Sequence, residues 1–194
     1  MKPIKVSLII LSIALNAQTA FAEKQARYLL GAISLPSKQS PNAFGSYSKG
    51  CLAGGVEMLE SGPTWQVMRL SRDRNWGHPD MIALLKNLSK SVAEKTSWNG
   101  IYIGDISQPR GGPMISGHAS HQLGLDADIW MLPAKNLNLT QSMRESISSI
   151  NIRSKNKKST NSNWTNEHVD VLKIFAKDPS VDPVSYTHLT LPTN

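Results

Sequence analysis

The sequence is poor in cysteine, in aromatic residues and in long apolar runs. Cys51 is its only cysteine, so no disulfide can form within the chain. Aromatic residues make up 6% of the chain and do not alternate with its basic residues, which argues against nucleic-acid binding despite a formal net charge of +7. The N-terminal apolar run, residues 6–15, is well short of the roughly twenty residues that cross a bilayer, so we expect no stable membrane anchor.

That N-terminal run has the flanks of a cleavable secretory signal. Lys2 and Lys5 precede it, and the small-residue site Ala20-Phe21-Ala22 follows it. We therefore predict a signal peptide at residues 1–22 and a mature chain that begins near Glu23, outside the cytoplasm.

The overall composition is that of one ordinary globular domain, which we place at residues 23–184. Hydrophobic residues make up 40% of the chain and charged residues 18%, unlike the composition of disordered or coiled-coil proteins. The excess of basic residues, 21 against 14 acidic ones, favours attraction to an anionic polymer outside the cytoplasm, such as cell-wall peptides with free carboxylates.

Two features concern what lies near or beyond the end of the chain. Because secreted domains normally pair their thiols, Cys51 either pairs with a cysteine outside this chain or is a buried free thiol. Residues 185–194 stop without a terminating element and resemble a translated sequencing adapter. We expect this tail to be foreign, with a natural flexible terminus as the alternative.

Hydrophobic periodicity predicts three helices. Residues 79–93 form an amphipathic pattern in which apolar residues recur every three or four positions, at Met81, Leu84, Leu85, Leu88 and Val92. Further helices are predicted at 140–150 and at 165–176, the latter with Thr165 as a possible N-cap. Residues 28–70 are rich in Gly, Ser and Pro, which predicts loops and short strands.

Two strands are predicted around a glycine-rich segment. Residues 101–106 follow Asn99-Gly100 and are expected to form a strand that leads into a tight loop at 108–113. Residues 125–131 alternate with a period of two. This alternation would place on one face Leu125, Ala127, Ile129 and Met131, and on the other Asp126, Asp128 and Trp130.

The segment between these strands concentrates potential metal ligands, including His118, His121 and Asp128. Gly124 and its neighbouring glycines let the backbone turn, so that His121 and Asp128 can point to one spot. Imidazole nitrogens and carboxylate oxygens are the usual non-sulfur ligands of zinc, and a catalytic zinc takes three protein ligands and a water. A structural network of hydrogen bonds is the alternative. A triad of Ser120, His121 and Asp128 is unfavourable because adjacent side chains in extended structure point to opposite faces.

Three segments of the sequence resemble the penicillin-insensitive murein endopeptidases. They lie at residues 72–81, 102–114 and 117–128, in the order in which that family has them. The spacing of His121 and Asp128 is also similar to the metal motif of the wider lysostaphin, D-Ala-D-Ala peptidase and hedgehog group.

The resemblance implies a zinc-dependent endopeptidase that hydrolyses D-alanyl-meso-diaminopimelate cross-links of peptidoglycan in the periplasm. It implies an α+β fold, with a small antiparallel sheet, flanking helices and long loops, incomplete at the C-terminus. His121 and Asp128 correspond to zinc ligands, and His118 to a position also assigned to metal contact. The family's third ligand and catalytic base belong to a His-x-His element further along. We therefore expect no catalytic residue of that element, weak zinc binding and little hydrolysis in this chain.

The same resemblance bears on other residues. Cys51 matches a family cysteine whose partner lies near the C-terminus. Lys155 and Lys158 stand where the family has an additional metal position, so we expect no second metal. His188 lies in the 185–194 tail without a second histidine beside it, and we do not expect it to complete the site.

Some assignments stay open at the level of the sequence. Arg110 is the candidate for docking a substrate carboxylate, because a guanidinium binds one bidentately, with a surface arginine in a turn as the alternative. His168 is expected on a solvated helix face, and His78 either in the cleft or as a structural histidine before Pro79. The alternative functions are a D,D-carboxypeptidase of the same zinc group and a non-catalytic wall-binding module.

Overall fold

The computed structural model of the protein describes residues 25–115, 118–156 and 158–181, together with the strand backbone at 185–186 and 189–190. The predicted signal segment, residues 1–22, lies outside the described residues, as does His188. The foreign origin of residues 185–194 stays a prediction. Within the described part of the chain, no helix combines the length and the apolar character needed to cross a membrane.

Short strands and helices alternate with long loops, and the predicted α+β class is confirmed. The strands are β1 (Asn42–Ser46), β2 (Lys49–Ala53), β3 (Val56–Glu57), β4 (Ser61–Gly62), β5 (Trp65–Val67), β6 (Trp76–Gly77), β7 (Ile101–Ile103), β8 (Ile129–Trp130), β9 (Ser185–Tyr186) and β10 (Leu189–Thr190). The helices are α1 (25–31), α2 (Pro79–Lys95), α3 (Gln141–Ser146) and α4 (Asn166–Ala176), with a 3-10 turn at Leu70–Arg72.

A four-stranded sheet with the order β4-β5-β7-β8 forms the centre of the fold. Its outer pairings, β4 with β5 and β7 with β8, are antiparallel as expected. The pairing of β5 with β7 is parallel, because α2 lies between these strands in the chain and returns it in the same direction. The pairs β1–β2, β3–β6 and β9–β10 are separate antiparallel ribbons.

Two apolar clusters lie on opposite faces of the sheet, because successive side chains of a strand alternate between faces. The larger cluster lies between the sheet and the helices α2 and α4, and its buried members are Met58, Trp65, Val67, Ile82, Leu85, Leu88, Val92, Trp98, Ile101, Ile103, Ile106, Met131, Ile152, Val171, Leu172 and Phe175. The smaller cluster consists of Met68, Tyr102, Ala134 and Leu139. Burying one such large side chain contributes about 1.5–3 kcal/mol, so these clusters hold the sheet and helices together.

Helix α2 begins one residue after His78, whose Nδ1 accepts a hydrogen bond from the backbone N–H of Asp80. The predicted helix is confirmed, but its buried face is rotated relative to the prediction. Ile82 is buried, whereas Met81 and Leu84 are only half-buried and line a cleft. The apolar stripe is therefore wide enough to serve both the core and the cleft.

Helix α3 is shorter than the predicted 140–150. Thr140 caps its start by accepting a hydrogen bond from the backbone N–H of Met143. The helix ends before Ile147, which is extended, and a run of serines and isoleucines with low helix propensity follows.

Helix α4 confirms the predicted third helix and its N-cap, Thr165, but it shows that the expectation for His168 was wrong. His168 is fully buried and packs against the rings of Trp98 and Trp164. Its Nδ1 accepts from the backbone N–H of Thr165 at 3.1 Å, so its Nε2–H donates to the carbonyl of Met131 at 3.0 Å. These two hydrogen bonds join the start of α4 to the segment after β8, which explains why a polar ring is buried there.

Replacing His168 by alanine should lower the free energy of unfolding by about 3 kcal/mol, because the change leaves the buried Met131 carbonyl without its donor and opens a cavity. Urea unfolding followed by circular dichroism measures this difference. Asp170, which is exposed on the same helix, provides the control, since Asp170→Ala should change stability by less than about 0.5 kcal/mol. Equal losses in both variants would contradict a specific role for the buried ring.

Candidate metal centre

A tight turn connects His121 to the strand that carries Asp128. Gly124 adopts a φ of 66°, and a Cβ at this position would approach the backbone of Gly77 and His78 to 3.0 Å, so only glycine fits without a shift. The carbonyl of Gly124 accepts a hydrogen bond from the backbone N–H of His78. This hydrogen bond fixes the turn against the start of α2. The turn at Gly124 was predicted from the sequence.

Asp128 lies at the end of a backbone ladder. β7 pairs with β8, and the pairing continues past both strands, since Gly104 donates to the Asp128 carbonyl at 2.7 Å and Asp128 donates to the Asp105 carbonyl at 2.9 Å. Strand β8 is shorter than the strand predicted at 125–131. Leu125, predicted on one strand face with Ala127, Ile129 and Met131, is exposed, because it belongs to the turn rather than to the ladder.

The side chains of His118, His121 and Asp128 converge. One oxygen of Asp128 lies 3.4 Å from Nε2 of His118, and the other lies 3.5 Å from Nε2 of His121. The two imidazole rings are perpendicular, with centroids 4.7 Å apart. One potential ligand atom from each residue lies within 4.8 Å of the others. His121 is buried, with 4% of its side chain exposed, whereas His118 and Asp128 are 36% and 44% exposed.

This arrangement fits a metal ion. Around a tetrahedral zinc with ligand distances of about 2.1 Å, neighbouring ligand atoms lie about 3.4 Å apart. Each oxygen of Asp128 lies at nearly this separation from one ring nitrogen, and the three candidate ligand atoms lie within 4.8 Å of one another, which is close enough to surround one ion. The donor set of imidazole nitrogens and a carboxylate suits zinc and does not by itself distinguish it from other transition metals.

Asp126 orients the ring of His121. Its Oδ2 lies 3.0 Å from Nδ1 of His121 and also accepts the backbone N–H of His121 at 3.2 Å. An ionised carboxylate only accepts hydrogen bonds, so Nδ1 carries the hydrogen and Nε2 faces Asp128 with its lone pair when the ring is neutral. A carboxylate behind a ligating histidine is the usual partner that fixes its tautomer.

His121 also has a backbone conformation uncommon for a residue with a side chain. Its φ is 66°, in the left-handed region. The hydroxyl of Ser107 donates to its carbonyl, and Asp126 accepts from its N–H, so contacts on both sides hold this conformation.

A second buried carboxylate, Asp105, lies beneath His118. Its side chain is 2% exposed, and its Oδ2 lies 3.5 Å from Nε2 of His118. Arg74 contacts the same oxygen at 2.8 Å, and Nη1 of Arg72 lies 3.2 Å from both carboxylate oxygens. The buried negative charge is thus paired, as its burial requires.

The charges of the cluster perturb its acid–base behaviour. Burial alone would lower the pKa of His121, but hydrogen bonds and charge attraction from Asp126 and Asp128 outweigh it and raise that pKa to about 10. For Asp128, burial works to raise the pKa, but the hydrogen bond with His121 and the positive charges of His121, His118 and Arg72 lower it below its usual value.

A cleft of about 660 Å³ opens beside the cluster. His118, His121 and Asp128 line its polar side, and apolar side chains of α2, including Met81 and Leu84, line another side. Peptide-sized ligands fit clefts of this volume and mixed character.

The structure places the other sequence candidates away from the cluster or in structural roles. Arg110 does not line the cleft, and its Nε donates to the carbonyl of Leu35 at 3.2 Å. His78 caps α2, which supports its structural interpretation. Both ring nitrogens of His121 face carboxylates, which argues against a hydrogen bond with Ser120. Lys155 and Lys158 are exposed on a separate loop.

Cys51 is a half-buried free thiol in β2, where it pairs with Phe44 across the hairpin. A disulfide to a cysteine outside this chain stays a prediction.

Sequence reasoning missed three residues that shape the site. Gln122 is buried and joins the metal loop to the hairpin of β1 and β2, since it accepts from the Gly50 N–H at 3.1 Å and donates to the Ser48 carbonyl at 2.8 Å. Asp105 and Arg72 were the other two. All three lie in the segments that resemble the endopeptidase family, which was the available signal, but no periodicity or spacing indicated what Arg72 or Gln122 contacts.

In metal-free protein, stability should depend on the protonation of His121. Its folded pKa of about 10 lies above the ordinary value of 6.5, so the stabilisation is complete below about pH 6.5 and is lost as the pH rises toward 10. We expect the difference in the free energy of unfolding between the unaltered chain and His121→Gln to shrink over this range in the presence of a chelator. A difference that is constant with pH would contradict the charge pairing with Asp126 and Asp128.

Comparison with known proteins identifies the family of this chain. A family model described as penicillin-insensitive murein endopeptidase matches residues 43–187. A protein of that name from Haemophilus influenzae is 35% identical over 74% of this chain and 49% of its own length. One from Pectobacterium atrosepticum is 39% identical over 63% of this chain and 43% of its own length. One from Klebsiella pneumoniae is 34% identical over 87% of this chain and 61% of its own length. The chain thus spans about half the length of these relatives. It belongs to the penicillin-insensitive murein endopeptidase family.

Proposed function

We propose that this protein is a zinc-dependent murein endopeptidase that hydrolyses D-alanyl-meso-diaminopimelate cross-links of peptidoglycan in the periplasm. The observation that carries the proposal is the convergence of His118, His121 and Asp128, whose candidate ligand atoms all lie within 4.8 Å of one another. Family membership supports murein as the substrate, and the signal-like N-terminal sequence supports a location outside the cytoplasm.

A zinc ion held by these residues would polarise the scissile carbonyl and lower the pKa of a bound water toward about 7. The residues of the chain prepare the site for that ion. Asp126 holds His121 with Nε2 directed at the cluster, and Asp128 directs one oxygen at each imidazole. Because His121 is buried while His118 and Asp128 are half-exposed, the substrate would approach from the side of the latter two.

The cleft supplies a surface beside the cluster on which a peptide could bind. Met81, Leu84 and Trp130 line it next to the cluster and would exclude water from one side of a bound peptide. No acyl-enzyme serine takes part in this chemistry, so β-lactams that acylate serine would not inhibit it.

Zinc affinity should depend on the cluster and on the residue behind it. His121→Gln and Asp128→Asn each remove a ligand and should weaken zinc binding by more than about 100-fold, and Asp126→Asn should weaken it by about 10–100-fold because it frees the ring orientation. Competition with a chromophoric chelator measures these affinities. His78→Asn is the matched control, since it removes a histidine outside the cluster but keeps a capping acceptor for α2. An equal loss in this control would count against the assignment of ligands.

The products should distinguish an endopeptidase from a D,D-carboxypeptidase. Purified chain with zinc is incubated with cross-linked muropeptide dimers and separately with uncross-linked pentapeptides, and the products are analysed by mass spectrometry. Because the sequence contains no His-x-His element, we expect at most a slow reaction; its product should be monomers formed from dimers, and Asp128→Asn should abolish it because a lost ligand removes the polarising ion. Release of terminal D-alanine without any monomer formation would favour the carboxypeptidase instead.

A further inference from the structure

The segment Arg69–Asp73, called here the arginine turn, brings two arginines to the rim of the metal centre. Arg69 and Asp73 bracket the 3-10 turn Leu70–Arg72, and both have a positive φ, of 60° and 50°. Within the described residues, the non-glycine positions with positive φ are these two and His121. Conformations of this kind persist only where surrounding contacts hold them, and they cluster at binding and catalytic sites.

Contacts from α3 and β6 hold the arginine turn in place. The two carboxylate oxygens of Glu145 accept the backbone N–H of Ser71 at 2.8 Å and its hydroxyl at 2.9 Å. Asp73 accepts the indole N–H of Trp76 at 2.8 Å. The turn is therefore a fixed platform, and the directions of its arginine side chains are set by the fold.

Arg72 and Arg74 contact the same carboxylate, but the side chain of Arg72 is far more exposed to solvent. Arg74 is 10% exposed and contacts the buried Asp105 at 2.8 Å, which is the arrangement of a structural ion pair. Arg72 contacts the same carboxylate through Nη1 alone, and 45% of its side chain is exposed. Two guanidinium groups thus share one carboxylate, so Arg72 retains a net positive charge and free donors that face solvent.

Arg72 lies next to the ligand cluster. One oxygen of Asp105, Oδ2, is 3.2 Å from Nη1 of Arg72 and 3.5 Å from Nε2 of His118. Arg69 lies on the neighbouring side, with its guanidinium 5.6 Å from the ring centre of Trp130, which lines the cleft. The arginine turn therefore places positive charge beside the ligand cluster.

We propose that Arg72 binds a carboxylate of the substrate on the leaving-group side of the scissile amide. The inference depends on the proposed function and specifies its substrate class as peptides with a free carboxylate on the carbon bonded to the scissile nitrogen. In a D-alanyl-meso-diaminopimelate cross-link, that carbon carries such a carboxylate. A guanidinium with free donors binds a carboxylate through charge-assisted hydrogen bonds. Arg72 contacts a carboxylate that also contacts His118, whereas Arg110 bonds the Leu35 carbonyl.

The test compares two probes that differ in one group. The first is the cross-linked muropeptide dimer, and the second is the same dimer with the carboxylate next to the cross-link converted to a carboxamide. Binding to the unaltered chain is measured by calorimetry, in chelator and in zinc. We expect the carboxylate probe to bind about tenfold or more tightly than the carboxamide. Arg72→Gln should abolish this preference and leave carboxamide binding within about twofold, and Arg72→Lys should restore only part of it.

Control variants separate a binding role from a structural one. Arg110→Gln should retain the preference, and Arg74→Gln should lower thermal stability while also retaining it. Arg72→Gln should keep zinc affinity within about threefold, because His118, His121 and Asp128 are unchanged. The inference would be overturned if Arg72→Gln kept the preference, if it weakened both probes equally, or if Arg110→Gln abolished the preference. If neither probe bound the unaltered chain in either condition, the proposed function itself would fail, and this inference with it.

Discussion

The Asp128 carboxylate directs one oxygen at each of two perpendicular imidazoles, and the remaining features of the site serve to maintain that contact. Three groups that would otherwise prefer water are brought within a few ångströms of one another, which is unfavourable unless each is oriented by further partners. The β7–β8 ladder fixes the backbone of Asp128, and Asp126 fixes the ring of His121 from its Nδ1 side. Asp105 contacts His118 at Nε2, the same nitrogen that faces Asp128.

Positively charged groups surround the cluster because its carboxylates lie close together. Asp105, Asp126 and Asp128 bring three carboxylates close together, and such a group would repel itself in a buried site. Arg72, Arg74 and the protonated ring of His121 supply compensating charge. A divalent ion that displaces the proton of His121 would take over part of this role, which couples ion binding to proton release.

The sequence predicted those parts of the molecule that depend on local pattern. The periodicity of residues 79–93 and 165–176 identified α2 and α4, and the spacing of His121, Gly124 and Asp128 identified residues that do converge. Contacts between distant segments escaped prediction. The burial of His168 depends on the Met131 carbonyl, which is far from it in the chain. The strand predicted at 125–131 is shorter in the structure because it pairs with β7, and β7 contributes only residues 101–103 to the sheet.

The two arginines illustrate the same limit. Arg110 stands in the glycine loop close to the histidines in sequence, yet its side chain contacts Leu35 on another part of the fold. Arg72 is distant in sequence from His118, yet one carboxylate oxygen of Asp105 touches both. Side-chain direction at turns is decided by tertiary partners, which no periodic pattern encodes.

The side-chain amide of Gln122 connects the candidate metal centre to the β1–β2 hairpin. By bonding both to Gly50 and to the Ser48 carbonyl, it ties the β1–β2 hairpin to the loop that carries the histidines. Hairpin and loop are therefore joined through the residue next to His121, so that a displacement of the hairpin would also pull on the backbone that carries this imidazole.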